Sequence, residues 1–135
     1  MDQKQFSEYV INGIIIQFPQ LKEHCVVKPN GVIDIEYRSR NNKLILWLTT
    51  QDKEITIGLS GNHELGDFHT HMSLFGAKTP KEELIEAINL IKKIINDEVE
   101  ILYSSVLGYF LGDIDETEEY RQPDELISIN FWSSL

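Results

Sequence analysis

This chain of 135 residues contains one cysteine, twelve basic residues and no long apolar run, and each scarcity closes off a class of function. A single thiol, Cys25, excludes an internal disulfide and a multi-cysteine metal centre, so a buried, inert cysteine is expected. No hydrophobic stretch approaches the roughly 18 residues that span a bilayer. Met1-Asp2-Gln3-Lys4-Gln5 lacks the basic start and unbroken apolar run of a signal peptide, so a cytoplasmic protein without membrane contact is expected. Twelve Lys and Arg face 22 Asp and Glu, a formal net charge of −10. Nucleic-acid binding normally needs a basic face that displaces counterions from phosphates, so that class is set aside. The surplus of carboxylates suits a basic partner, or simply keeps the chain soluble. Phosphate-cradling loops are missing too: Gly58 and Gly61 make none, and no GK[ST] follows. His24 beside Cys25 is no catalytic dyad, because neighbours on a strand point to opposite faces.

What remains is the composition of an ordinary globular protein, 41% hydrophobic and 25% charged, long enough for one domain with one core. Phe6, Tyr9, Val10, Gly13, Ile14 and Gln17 recur at helical spacing, predicting an amphipathic helix over about 3–17 that Pro19 ends. Strand-like runs follow. One covers Cys25 to Lys28 and stops at the turn Pro29-Asn30-Gly31. In the next, Ile33, Ile35 and Tyr37 alternate with Asp34 and Glu36. Leu44-Ile45-Leu46-Trp47-Leu48 is apolar on both faces, as in a central strand covered on both sides. Ile55, Ile57 and Leu59 alternate with Glu54, Thr56 and Gly58. A loop over 60–66 precedes a further extended segment, Asp67 to Met72. Leu84, Ala87, Ile88, Ile91, Ile94 and Ile95 then mark the apolar face of a second helix, about 79–97. Further strands are expected over 99–106, 107–111 and 125–132, the last entered through the acidic run Asp113-Ile114-Asp115-Glu116-Thr117-Glu118-Glu119. The sum is a single α+β domain: one curved, mostly antiparallel sheet carrying the N-terminal helix and a second amphipathic helix.

The densest chemistry lies in Asp67-Phe68-His69-Thr70-His71-Met72. Residues two apart on a strand share a face, so His69 and His71 stand side by side with Asp67. If Ile55 and Ile57 face the core, Glu54 and Thr56 on the neighbouring strand share the histidines' face. Two imidazoles and two carboxylates are suitable zinc ligands; equally, they suit a hydrogen-bonded sheet surface or a partner contact.

Two resemblances sharpen that choice. His69-Thr70-His71, seven residues, then Thr79-Pro80-Lys81-Glu82 is similar to the HxH-x7-SxxD pattern of the JAMM metalloproteases. That likeness implies zinc held by His69, His71 and Glu82, with Glu36 or Glu54 as candidate activator of its water. Here Thr79 stands for serine, Glu82 for aspartate, and Met72 for the proline that usually follows the second histidine. The same Thr-Pro-Lys-Glu also reads as a capping box that a helix needs with or without a metal.

The second resemblance covers most of residues 5–112. A helix ending Phe18-Pro19-Gln20-Leu21, the strand Ile33-Asp34-Ile35-Glu36-Tyr37, then Lys53-Glu54-Ile55-Thr56-Ile57-Gly58, Phe68-His69-Thr70-His71 and a helix closing on Ile94-Ile95-Asn96-Asp97-Glu98 resemble small bacterial immunity proteins that neutralise polymorphic or contact-dependent toxins. It implies a non-catalytic, cofactor-free protein that binds a cognate, basic toxin domain, with Glu54, Asp67, His69 and His71 as structural or contact residues. Carboxylates imitate a phosphate backbone, so Asp113, Asp115, Glu116, Glu118 and Glu119 are further candidate contacts; without a partner they form a solvated loop. Tyr103, Tyr109, Phe110, Tyr120 and Trp132 could anchor an interface, though most of them are expected in the core.

Overall fold

The computed structural model of the chain describes residues 1–61 and 68–135. The first apolar stripe forms α1, Gln3–Gln17, which buries Phe6, Val10, Ile11 and Ile14. Asp2 starts it by a reciprocal cap: its carboxylate accepts the Gln5 amide at 2.8 Å, and Gln5 Oε1 accepts the Asp2 amide at 2.9 Å. Ile16 is 75% exposed, because two further steps of about 100° carry it off the stripe that holds Ile14.

After a 3₁₀ turn over Pro19–His24 the chain runs as a meander of β1 (Cys25–Val27), β2 (Ile33–Arg38), β3 (Leu44–Thr49), β4 (Thr56–Gly61) and β5 (Phe68–His71). Each strand pairs antiparallel with the next, giving an open five-stranded sheet in chain order. A 3₁₀ turn over Met72–Phe75 leads to α2, Pro80–Ile95. Thr79 Oγ1 accepts the Glu82 amide at 3.2 Å, and Glu82 Oε2 accepts the amides of Thr79 at 3.1 Å and Lys78 at 2.8 Å. Gly13 lets the two helices meet: a Cβ there would stand 2.5 Å from Leu84 Cδ2.

The period-2 alternation divides the sheet into two faces. Ile35, Leu44, Leu46, Leu48, Ile57 and Leu59 point inward and join Phe6, Val10, Ile14, Ala87, Ile91 and Ile94 in one core. Burial along β3 alternates strictly, with Leu44, Leu46 and Leu48 buried and Ile45, Trp47 and Thr49 only half-buried. The strand is central, as expected, but covered on one side only, since both long helices pack on the same inner face.

Buried polar groups pin α1 to this sheet. Thr50 Oγ1 accepts the Ile33 amide at 2.9 Å and donates to the Ile33 carbonyl at 3.0 Å, extending the β2–β3 ladder through a side chain. Ser7 Oγ lies 2.7 Å from it, and Gln3 Nε2 donates to Ser7 Oγ at 3.1 Å and to the Thr50 carbonyl at 2.6 Å.

The expectation of one sheet is corrected by a second, three-stranded one: β6 (Ile101–Ser104), β7 (Gly108–Phe110) and β8 (Ile127–Asn130), ordered β7-β6-β8. It lies beside β4 and β5 through β7, and Ile101, Tyr109 and Leu111 reach the same core. The run expected over 99–106 stops at Ser104 because the Ser104 hydroxyl captures the amides of Val106 at 3.0 Å and Leu107 at 3.1 Å, turning the chain. The strand expected over 125–132 is shorter at both ends. Glu125 precedes it, and Trp132, 6% exposed, sits in a 3₁₀ turn stacked on Tyr37 at 5.8 Å. Among the described residues no helix is long and apolar enough to cross a membrane.

Glu125 closes this second sheet. It is 5% exposed; its carboxylate accepts the Gln122 amide at 2.9 Å and the Ser104 hydroxyl. Those two bonds, with Arg121 nearby, hold its carboxyl below the ordinary value of 4.5 against the opposing effect of burial. A depressed folded-state pKa stabilises the fold fully above the unfolded value, and that contribution disappears as pH falls through the folded value. Urea midpoints should therefore fall between about pH 6 and about pH 3, with a smaller fall in Glu125→Gln. Parallel curves for the two proteins would remove Glu125 from this role.

Candidate functional site

Register brings the predicted histidine cluster together on the outer face of the first sheet. Thr56 lies opposite His71, and Gly58 opposite His69; across β3 and β2, Trp47 and Glu36 continue the His69 row, and Thr49 and Asp34 the His71 row. His71 Nδ1 lies 2.9 Å from Thr56 Oγ1 and 3.3 Å from Glu54 Oε1. An Nδ1–H donates to either oxygen, so these two neighbours orient the ring. The imidazole of His69 meets that of His71 edge-on at 5.4 Å, and Trp47 lies 6.4 Å from His69. Three rings thus run from the centre of the sheet to its β5 edge.

Trp47 is seated by a glycine. An added Cβ at Gly58 would lie 2.1 Å from Cε2 and Cζ2 of the indole, so the ring lies across β4 where any larger residue would displace it. Because it leans toward β4, space opens on its β2 side. Two hollows flank it, about 330 Å³ lined by Lys28, Asp34, Glu36, Trp47, Thr49 and Gln51, and about 270 Å³ lined by Glu36, Ile45, Trp47 and Ser60. Lys28 Nζ pairs with Asp34 Oδ2 at 2.6 Å, while Asp34 Oδ1 is buried without a partner among the described residues. Glu36 is exposed and forms no hydrogen bond or ion pair among the described residues.

Glu54 also acts behind the sheet. Burial lifts the Glu83 carboxyl above the ordinary glutamate range, the Ile55 amide it accepts at 3.0 Å opposes the shift, and the charge of Glu54 adds to it. Cys25 is half-buried with Sγ 3.6 Å from the Leu21 carbonyl, and burial raises its thiol, in keeping with an inert cysteine.

The remaining candidates fall elsewhere. Asp67 and the part of the expected loop over 62–66 lie outside the described residues; Ser60 and Gly61 end β4. Glu82 is occupied as a helix cap, and among the described residues no three His, Cys, Asp or Glu side chains are grouped to hold a metal ion. Glu36 and Glu54 both stand on the histidine face. The acidic run is a short helix, α3 (Ile114–Glu119), where a loop was expected, on the side of the second sheet. Asp113 Oδ1 caps it by accepting the Glu116 amide at 3.0 Å, and Asp115 and Glu116 suit its electropositive first turn. Glu118 pairs with Arg121 at 3.2 Å across the surface; Asp115, Glu116 and Glu119 are exposed. Of the aromatic candidates, Trp132 is core, Tyr103 and Tyr109 pack together at 4.9 Å, and Tyr120 is 74% exposed.

Trp47, Gly58 and Asp34 were not singled out by sequence. Inside an all-apolar run Trp47 reads as core, and only its odd parity against Leu44, Leu46 and Leu48 marks it as outward. Compared with family models, curated proteins and solved structures, the chain matches none of them.

Proposed function

We propose that this protein is a non-catalytic binding protein of the immunity type, which neutralises a basic toxin domain by covering it with the outer face of its five-stranded sheet. The observation that carries this reading is an aromatic side chain seated on a glycine at the middle of an open sheet face that also bears Asp34, Glu36 and Glu54. A half-exposed tryptophan in a hollow is the kind of residue that anchors protein interfaces. A net charge of −10 speeds encounter with a cationic partner. His69 and His71 extend the contact surface to the sheet edge.

Co-expression with a basic toxin domain found encoded beside this chain tests the reading. Growth should be rescued, and the purified pair should associate more slowly at high salt because exposed charges are screened within about 10 Å at 0.1 M. No protection, with no complex at low salt, would reject an immunity role.

A further inference from the structure

We infer that the larger hollow beside Trp47 receives an arginine side chain of the protein partner, with its guanidinium laid against the indole and its N–H fork on Glu36 and Asp34. The inference rests on the binding role proposed above and names the chemistry that the role uses.

Three observations lead to arginine. Trp47 turns its ring over Gly58, so the open side of the ring faces β2, where both acidic residues stand two apart on one strand face. Among the described residues Glu36, which is exposed, forms no hydrogen bond or ion pair, and Asp34 keeps one buried oxygen without a donor, while its other oxygen holds Lys28. A buried acceptor left unmet is unfavourable, and a donor that enters as Lys28 moves away can satisfy it. The hollow therefore presents an aromatic wall, two carboxylates and one ammonium, a net demand for a cation with several donors. A guanidinium answers it better than an ammonium: it is planar, it stacks on an indole, and it presents a rigid fork of donors. Lys28 is 46% exposed at its side chain, so it can swing into solvent as the guanidinium enters.

Short peptides test this on the intact chain. The probe is a peptide with two arginines, compared with its lysine and its citrulline counterparts, the last being isosteric and uncharged. Binding is read from the indole N–H and β2 amide signals by NMR, with Trp47→Phe assigning the indole. The arginine peptide should move the Trp47 signal and bind at least about threefold tighter than the lysine peptide, and the citrulline peptide should not bind. Glu36→Gln should weaken the arginine peptide roughly fivefold or more, whereas Glu100→Gln, which removes the same charge from an exposed position elsewhere, should not. Equal affinity for lysine and arginine, equal effects of the two glutamine variants, or an unmoved Trp47 signal would each overturn the inference. The two proposals fail separately. Full protection against the toxin by Glu36→Gln removes the arginine site and leaves the immunity role standing. Arginine-peptide binding without any protection does the reverse.

Discussion

Thr50→Val is expected to lower the stability of the fold by about 2–4 kcal/mol, seen as a lower urea midpoint with an unchanged slope. Thr50 is completely buried, and its one proton goes to the Ile33 carbonyl while the Ile33 amide donates to its oxygen. The Ser7 hydroxyl must therefore donate the third bond, at 2.7 Å, and the Gln3 amide in turn donates to Ser7. Valine reproduces the shape of threonine and none of these bonds, leaving the Ile33 amide and carbonyl without the hydroxyl and the Ser7 proton without its acceptor, at about 1–3 kcal/mol for such a group. Ser7→Ala should cost only about 1 kcal/mol, since Thr50 keeps both contacts to Ile33. Equal losses for the two variants would show that Thr50 is not the hub of this network.

Gly58→Val should destabilise by about 1–3 kcal/mol and, on the proposed binding role, abolish partner binding as well. Valine favours strands, so a stability loss here cannot come from backbone preference. It comes from the indole, two atoms of which occupy the place of the new Cβ at 2.1 Å, with Nε1 at 2.6 Å. The ring must swing off β4 into the hollow on its other side, moving the Trp47 emission to longer wavelength and closing the space beside Glu36. In a Trp47→Ala background the same substitution should be almost neutral, a coupling that a double-mutant cycle measures. Wild-type emission in Gly58→Val would show that the ring is not seated on this glycine.

Much of this architecture was legible because it follows from local periodicity. Alternation in β2 and β4 placed Ile35, Ile57 and Leu59 inward and set Glu54 and Thr56 on the face of His69 and His71. Helical spacing and the Thr79-to-Glu82 capping box located α2. The misses have physical reasons. In Leu44 to Leu48 every residue is apolar, so the pattern cannot say that only one face is covered, and Trp47 was hidden among core residues. The helix α3 has no apolar stripe and depends on the Asp113 cap. Ser104 and Glu125, or Ser7 and Thr50, are joined across 21 and 43 residues of chain, and bonds between such distant side chains leave no local mark.

The pairing order β1-β2-β3-β4-β5 also governs how the molecule assembles. Every ladder of that sheet joins strands that follow one another with few residues between them, and loop-closure entropy rises with length. The ladder between β6 and β8 is different: it must bring Ser104 to Ile127, with β7 and α3 in between. Closing the β6–β8 pair therefore costs more chain entropy than closing any ladder of the meander. The face carrying Trp47 and the two histidines is therefore built wholly from ladders of low loop-closure cost.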